Sequence, residues 1–218
     1  MTHYADAAHK YLSYHVLTNI PARILQARHS NQTRPERDAR LVHDAVLLMF
    51  VVSVTCLQLR QIREALICGA ANVFKGPLSS LAGITMPEWA ADELRRNPAS
   101  EFWQIHFSGK EAAGPSVNAF LPQSMVQVIE EYLMQHRSLL AGGNDPGTLF
   151  LNKRGGPLSA RQLTSLVGEL TARFASCRMT PAMIRRLFEL GRQAEKAHDY
   201  YTLSRVVGRE DVREFFGE

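Results

Sequence analysis

Cysteine is scarce. The chain has three, Cys56, Cys68 and Cys177, with no CxxC spacing. An odd, scattered set excludes a disulfide framework and a cysteine-based zinc site, and fits a reducing cytoplasm. Long apolar runs are missing as well: the longest, residues 45–57, is too short to span a bilayer and reads as a core helix. No cationic start followed by an apolar stretch opens the sequence, so no signal peptide is expected. Internal repeats and low-complexity tracts are also lacking. Lysine is the remaining shortage, with five against twenty arginines. Arginine offers a planar fork suited to phosphate and carboxylate, whereas lysine is a hydrated point charge. Together with a formal net charge of +4, this bias fits a nucleic-acid partner, although GC-rich codon usage produces the same bias without function. No cofactor or metal motif is visible.

What remains is ordinary for a globular chain of 218 residues, 45% hydrophobic and 21% charged. Residues 4–28 read as helix with a break near Asn19-Pro21, and polar residues 30–35 read as a linker. Residues 1–35 are thus expected to form a helical arm and linker, and residues 36–218 one domain. Residues 37–56 are a strongly apolar, central helix; residues 57–69 continue as a second, charged one. Residues 75–87, with Gly76-Pro77 and paired serines, read as loop. The alternating, aromatic stretch 102–107 reads as a strand, residues 108–110 as a turn, and residues 117–121 as the returning strand. Pro122 opens an amphipathic helix through His136. A short extended piece, 147–151, and a turn at 153–157 follow. Ser159 and Gln162 form a capping box that launches a helix to about Phe174. Thr180-Pro181 opens the tail, where a hydroxyl caps free amides and proline loses nothing by lacking its own. Three helical segments are expected there, the second running from His198 to the Gly208 stop. The fold class is mainly α with a small antiparallel β-sheet.

The ordered series Val54-Thr-Cys-Leu-Gln58-Leu-Arg60, Phe107-Ser-Gly-Lys110, Phe120-Leu-Pro122 and Leu149-Phe-Leu-Asn-Lys-Arg-Gly-Gly-Pro-Leu-Ser159 resembles the catalytic domain of the tyrosine recombinase (phage integrase) family. The tail supports it with Thr180-Pro-Ala-Met-Ile-Arg185-Arg186 and Leu203-Ser-Arg-Val-Val-Gly208-Arg209. The resemblance implies duplex DNA as partner and strand exchange through a phosphotyrosine link. In that chemistry a tyrosine attacks phosphorus, two arginines hold the non-bridging oxygens, and a lysine and histidines move protons. Carried over, the first arginine falls on Gln58, with Arg60 and Arg63 as nearby substitutes, and the hairpin lysine is Lys110. The family's His-x-x-Arg box retains Arg185 but has Ala182 for histidine, and the late Gly-His pair is Gly208-Arg209. No tyrosine follows Tyr201, and Phe215-Phe216 stands near the nucleophile position. Phe216 has no oxygen to attack with, and Tyr200 and Tyr201 read as packing residues.

The resemblance therefore implies a degenerate site. Lys110 and Arg185 are catalytic remnants, and Arg60, Lys110, Arg185, Arg186 and Arg209 are the expected DNA contacts. His106 reads as a structural strand histidine, and Trp89 and Trp103 as packing. The leading expectation is a cytoplasmic, catalytically inactive, DNA-binding protein of a recombination or mobile-element system. Two alternatives stay open: an active recombinase using a non-standard tyrosine such as Tyr201 or one missing from the C-terminus, and a module that docks a full-length recombinase. A homo-oligomer or a recombinase partner is expected with the docking module.

Overall fold

The computed structural model describes residues 14–28, 34–54, 56–77, 86–108 and 116–197. Helix α1 (Tyr14–Gln26) runs through Pro21 without a break. An interior proline removes one backbone bond and costs about 3 kcal/mol. Here Leu17, Ile20 and Ile24 are fully buried against the next helix, and that packing holds the expected break closed.

Helix α2 (Pro35–Ser53) begins with proline at its first turn after an extended Arg34, and places Glu36 and Asp38 near the helix's positive end. It is apolar nearly all round, as a helix enclosed by others must be. Val42, Ala45, Leu47, Leu48 and Phe50 are completely buried, in one cluster with the apolar face of α1. Three residues are shed from the expected end of α2. After Val54 the chain turns into the short helix α3 (Leu59–Arg63), capped by Gln58. This helix stops well before Gly69 because the chain then becomes extended: Leu66 bridges Thr148, and the Leu149 amide donates to Ala65 O at 2.7 Å.

Among the described residues the sheet has three antiparallel strands in the order β1 (Val73–Pro77), β2 (Glu101–Phe107), β3 (Val117–Phe120). The hairpin of β2 and β3 was expected; β1 lies where a loop was expected. Gly76 and Pro77 look like turn residues, yet on an edge strand proline sacrifices no ladder bond. The fully buried Gln104 fastens this edge by donating to Gly76 O at 2.7 Å and Pro77 O at 3.1 Å. Helix α4 (Glu88–Arg96), which sequence reasoning left unassigned, brings Trp89 over Phe102 and Phe120 at 5.8 and 5.6 Å between ring centres. Trp103 donates to Glu130 at 2.9 Å, and His106 bonds Asn118 across the hairpin.

The helix expected from Pro122 to His136 changes its winding near its end and runs on past it. Helix α5 (Gln123–Glu131) passes into a π-helical turn, Tyr132–His136, and then into α6 (Arg137–Ala141). The wider turn leaves Tyr132, His136 and Arg137 all buried. Helix α7 (Ala160–Ala175) carries the capping box read from the sequence: the Gln162 amide donates to Ser159 Oγ at 3.2 Å, and the Ser159 amide to Gln162 Oε1 at 2.9 Å. Helix α8 (Pro181–Ala197) starts as expected, with Thr180 Oγ1 accepting from the Met183 amide at 3.3 Å. The later tail segments fall outside the described residues. None of the described helices is long and apolar enough to cross a membrane.

Segment 147–152 is strapped down from several sides. Tyr132 Oη donates to Leu149 O at 2.9 Å, and Arg137 Nε to Thr148 O at 3.1 Å. From α2, Arg40 donates to Leu151 O and Asn152 O at 3.1 and 3.2 Å. His43, fully buried, bonds Asp44 through Nδ1 at 2.8 Å and accepts the Leu151 amide on Nε2 at 3.1 Å. In the turn that follows, Gly155 has φ +81°, and a Cβ there would meet two α6 carbonyls at 2.8 Å. Only glycine fits both demands.

The His43 arrangement requires a neutral ring, since Nε2 must accept. Burial pushes its pKa below the ordinary value, against the pull of Asp44. As pH falls through about 6.5 the unfolded chain takes up a proton that folded His43 refuses, so stability drops by up to about 1.4 kcal/mol per pH unit. Denaturant midpoints should fall between pH 7.5 and 5.5, and less so in His43→Gln. Equal slopes for the two proteins would contradict the neutral ring.

Candidate nucleic-acid interface

Gln58 stands at the N-cap of α3 with an exposed side chain; its amide donates to Gln61 Oε1 at 2.8 Å. A neutral amide therefore occupies the position where the resemblance puts an arginine. Arg60 and Arg63 both turn onto Glu64 instead. Arg60 Nε lies 3.1 and 3.0 Å from the two Glu64 oxygens, and Arg63 Nη2 lies 2.5 Å from Oε1. Burial raises the Glu64 pKa, but the two guanidiniums outweigh it and hold the carboxyl below its usual range. The carboxylate thus stays ionised between them.

Arg185 comes to the same place from α8. Its guanidinium donates to Leu57 O, the carbonyl immediately before Gln58, although 128 residues separate them. Half-burial lowers its pKa, opposed by Glu189 and by the nearby Cys56. The Cys56 thiol is pushed up by burial, against the pull of Arg185. Arg186 is exposed on the same helix, and Ala182 is exposed one turn earlier. Consecutive helical residues point about 100° apart, so Arg185 and Arg186 address different surroundings, as expected. Lys110, Arg209, Tyr200, Tyr201, Phe215 and Phe216 lie outside the described residues. The structure thus brings Arg185 from α8 to the Leu57-Gln58 corner that opens α3, whereas Arg60 and Arg63 are paired with Glu64.

Glu64 escaped sequence reasoning, although its spacing of four from Arg60 is a legible signal. A second feature went unread: a cleft of about 1350 Å³ between the start of α2, the end of α6 and the outer face of α7. Exposed Arg37, Lys153, Arg154 and Arg173 line it, alongside Glu36 and Glu169. Among the described residues, no group of three or more His, Cys, Asp or Glu is placed to hold a metal ion.

The sequence matches no family model and no curated protein. Among solved structures, it superposes on the XerH site-specific recombinase bound to difH substrate in a pre-cleavage complex, with a TM-score of 0.50 and 16% identity over 99% of this chain and 52% of that one. The fold is tyrosine-recombinase-like. A post-cleavage complex of XerH with a palindromic difH substrate aligns with a TM-score of 0.49 and 16% identity over 100% of this chain and 52% of that one. The chain spans about half the length of these recombinases. The tyrosine-recombinase-like fold accounts for the mainly helical architecture and the small antiparallel sheet.

Proposed function

We propose that this chain binds duplex DNA as a recombinase-like protein of a cytoplasmic recombination or mobile-element system, without cleaving a strand. The observation that carries the reading is the meeting of Arg185 with the Leu57-Gln58 corner on a tyrosine-recombinase-like fold. On that fold, the corner is where the resemblance places phosphate-holding groups from two distant stretches of sequence. Arg60, Lys110, Arg185, Arg186 and Arg209 are the proposed contacts. Arginine suits such contacts because its fork matches phosphate oxygens. Gln58 and Ala182 supply neither the cation nor the proton-transfer group that strand cleavage needs. Arg209 keeps a phosphate donor where a histidine stands in the family pattern, but it does not release a proton at neutral pH.

Such contacts address the backbone, so affinity should be micromolar or weaker, non-specific in sequence and steeply dependent on salt. Fluorescence anisotropy on a labelled duplex tests this at low and at physiological salt. Arg185→Ala should weaken binding and flatten the salt slope by about 0.9, the share of one phosphate. A wild-type chain with no salt-sensitive binding at low salt would remove the reading. A covalent adduct on a nicked, suicide-type duplex would overturn the inactivity and favour an active recombinase.

A further inference from the structure

We propose that the cleft between α2 and α7 is a docking groove for an acidic amphipathic helix of a partner protein. It opens beside the first turns of α2, whereas the Leu57-Gln58 corner follows the last turn, and it stands independently of the DNA-binding reading.

Two helix stripes line this cleft. On α7 the stripe is Gln162, Ser165, Leu166, Glu169, Leu170 and Arg173, spaced three and four apart, which makes one face about 16 Å long. On α2 the lining residues Glu36, Arg37, Arg40 and Asp44 keep a similar spacing. Two such stripes with open space between them form a groove that a third helix can fill. Its floor is apolar. Leu140 and Leu166 are half-buried, and Leu139 is 50% exposed, one of three large apolar side chains so exposed among the described residues. Its rim is cationic. Arg37, Lys153, Arg154 and Arg173 are exposed, and none of them has an ion-pair partner among the described residues. Elsewhere Arg28, Lys75, Arg95 and Arg137 each hold a carboxylate. Arg173 also rests on the Phe174 ring, 5.1 Å from its centre. Glu36 and Glu169 stand among these cations, Glu169 accepting from Ser165 Oγ at 2.8 Å. Those two acids separate the candidate ligands. A DNA strand carries a charge at every nucleotide and gains nothing from leucines. A peptide can set carboxylates against the cations, neutral residues against Glu36 and Glu169, and apolar residues on the floor.

The test is fluorescence anisotropy on the full chain. The labelled ligand is a helical peptide with a leucine stripe and glutamate flanks, compared with a copy that has lysine flanks. The glutamate peptide should bind about tenfold more tightly, with an affinity that falls as salt rises. Arg37→Glu combined with Arg173→Glu should weaken it about tenfold and flatten the salt dependence. Leu139→Gln should weaken it about threefold and leave the salt dependence unchanged. These surface changes should leave the urea midpoint of unfolding in place. Equal binding of the two peptides, binding of neither, or binding indifferent to both variants would overturn the groove. A charge reversal that weakens duplex binding as Arg185→Ala does, but not peptide binding, would assign the cleft to DNA and overturn it too. Light scattering covers the remaining occupant: a dimer dissociated by the same charge reversal would seat a second copy there and overturn the foreign helix.

Discussion

Phe150→Ala should cost about 3–5 kcal/mol of unfolding free energy, enough to take a marginal domain near the edge of folding. Phe150 is fully buried, its ring 5.3 Å from that of Phe50 at an 80° interplanar angle and 5.9 Å from the His43 ring. Truncation would leave a void between α2 and segment 147–152, where both walls are already fixed by hydrogen bonds and collapse poorly. The spread of measured costs for such changes depends on that capacity to collapse, so the upper part of the range applies. Phe150→Leu should retain more than half of the lost stability. Urea unfolding followed by circular dichroism reads both variants; a loss below about 1 kcal/mol for alanine would contradict the central place assigned to this ring.

Arg137→Ala should cost about 2–4 kcal/mol. Arg137 is 5% exposed; its guanidinium donates twice to Thr148 O and forks onto Asp145. Asp145 is nearly half exposed, so its charge is resolvated when the partner goes, and the loss is smaller than for a fully enclosed pair. What cannot be resolvated is the buried Thr148 carbonyl, and its orphaning carries most of the loss. Arg137→Lys should recover less than half, because an ammonium cannot serve carbonyl and carboxylate at once in the way a planar fork does. Full recovery by lysine, measured by the same urea titration, would show that charge alone matters here.

Much of the fold could be read from short-range signals. The apolar run of α2, the alternation of β2 and the Ser159–Gln162 box each encode their element within a few residues, and each element formed, α2 with its end three residues early. The misreadings arose where distant packing overruled a local rule. Pro21 disfavours a helix locally, yet three buried side chains on its own helix keep it continuous. Gly76-Pro77 signals a turn, yet Gln104, almost thirty residues away, turns it into an edge strand. The π-helical turn has no local signature, because what selects it is the need to bury Tyr132, His136 and Arg137 together. The interface shows the same division. Arg60 and Glu64 were within reach of a spacing rule, whereas the contact between Arg185 and Leu57 depends on how α8 docks and is invisible in the order of residues.

The strap on segment 147–152 has a consequence for the order in which this chain folds. His43 and Leu151 are 108 positions apart, and Arg40 and Asn152 are 112 apart. Closing a loop of that length carries a large entropic cost before any contact rewards it. The helices α1 and α2, joined by a short connection, can pair early; the strap can engage only after α5, the π-helical turn and α6 have docked on α2. Mutations in the strap should therefore act mainly on the rate of unfolding and leave the rate of folding nearly unchanged, which marks it as a late-forming latch on the native state.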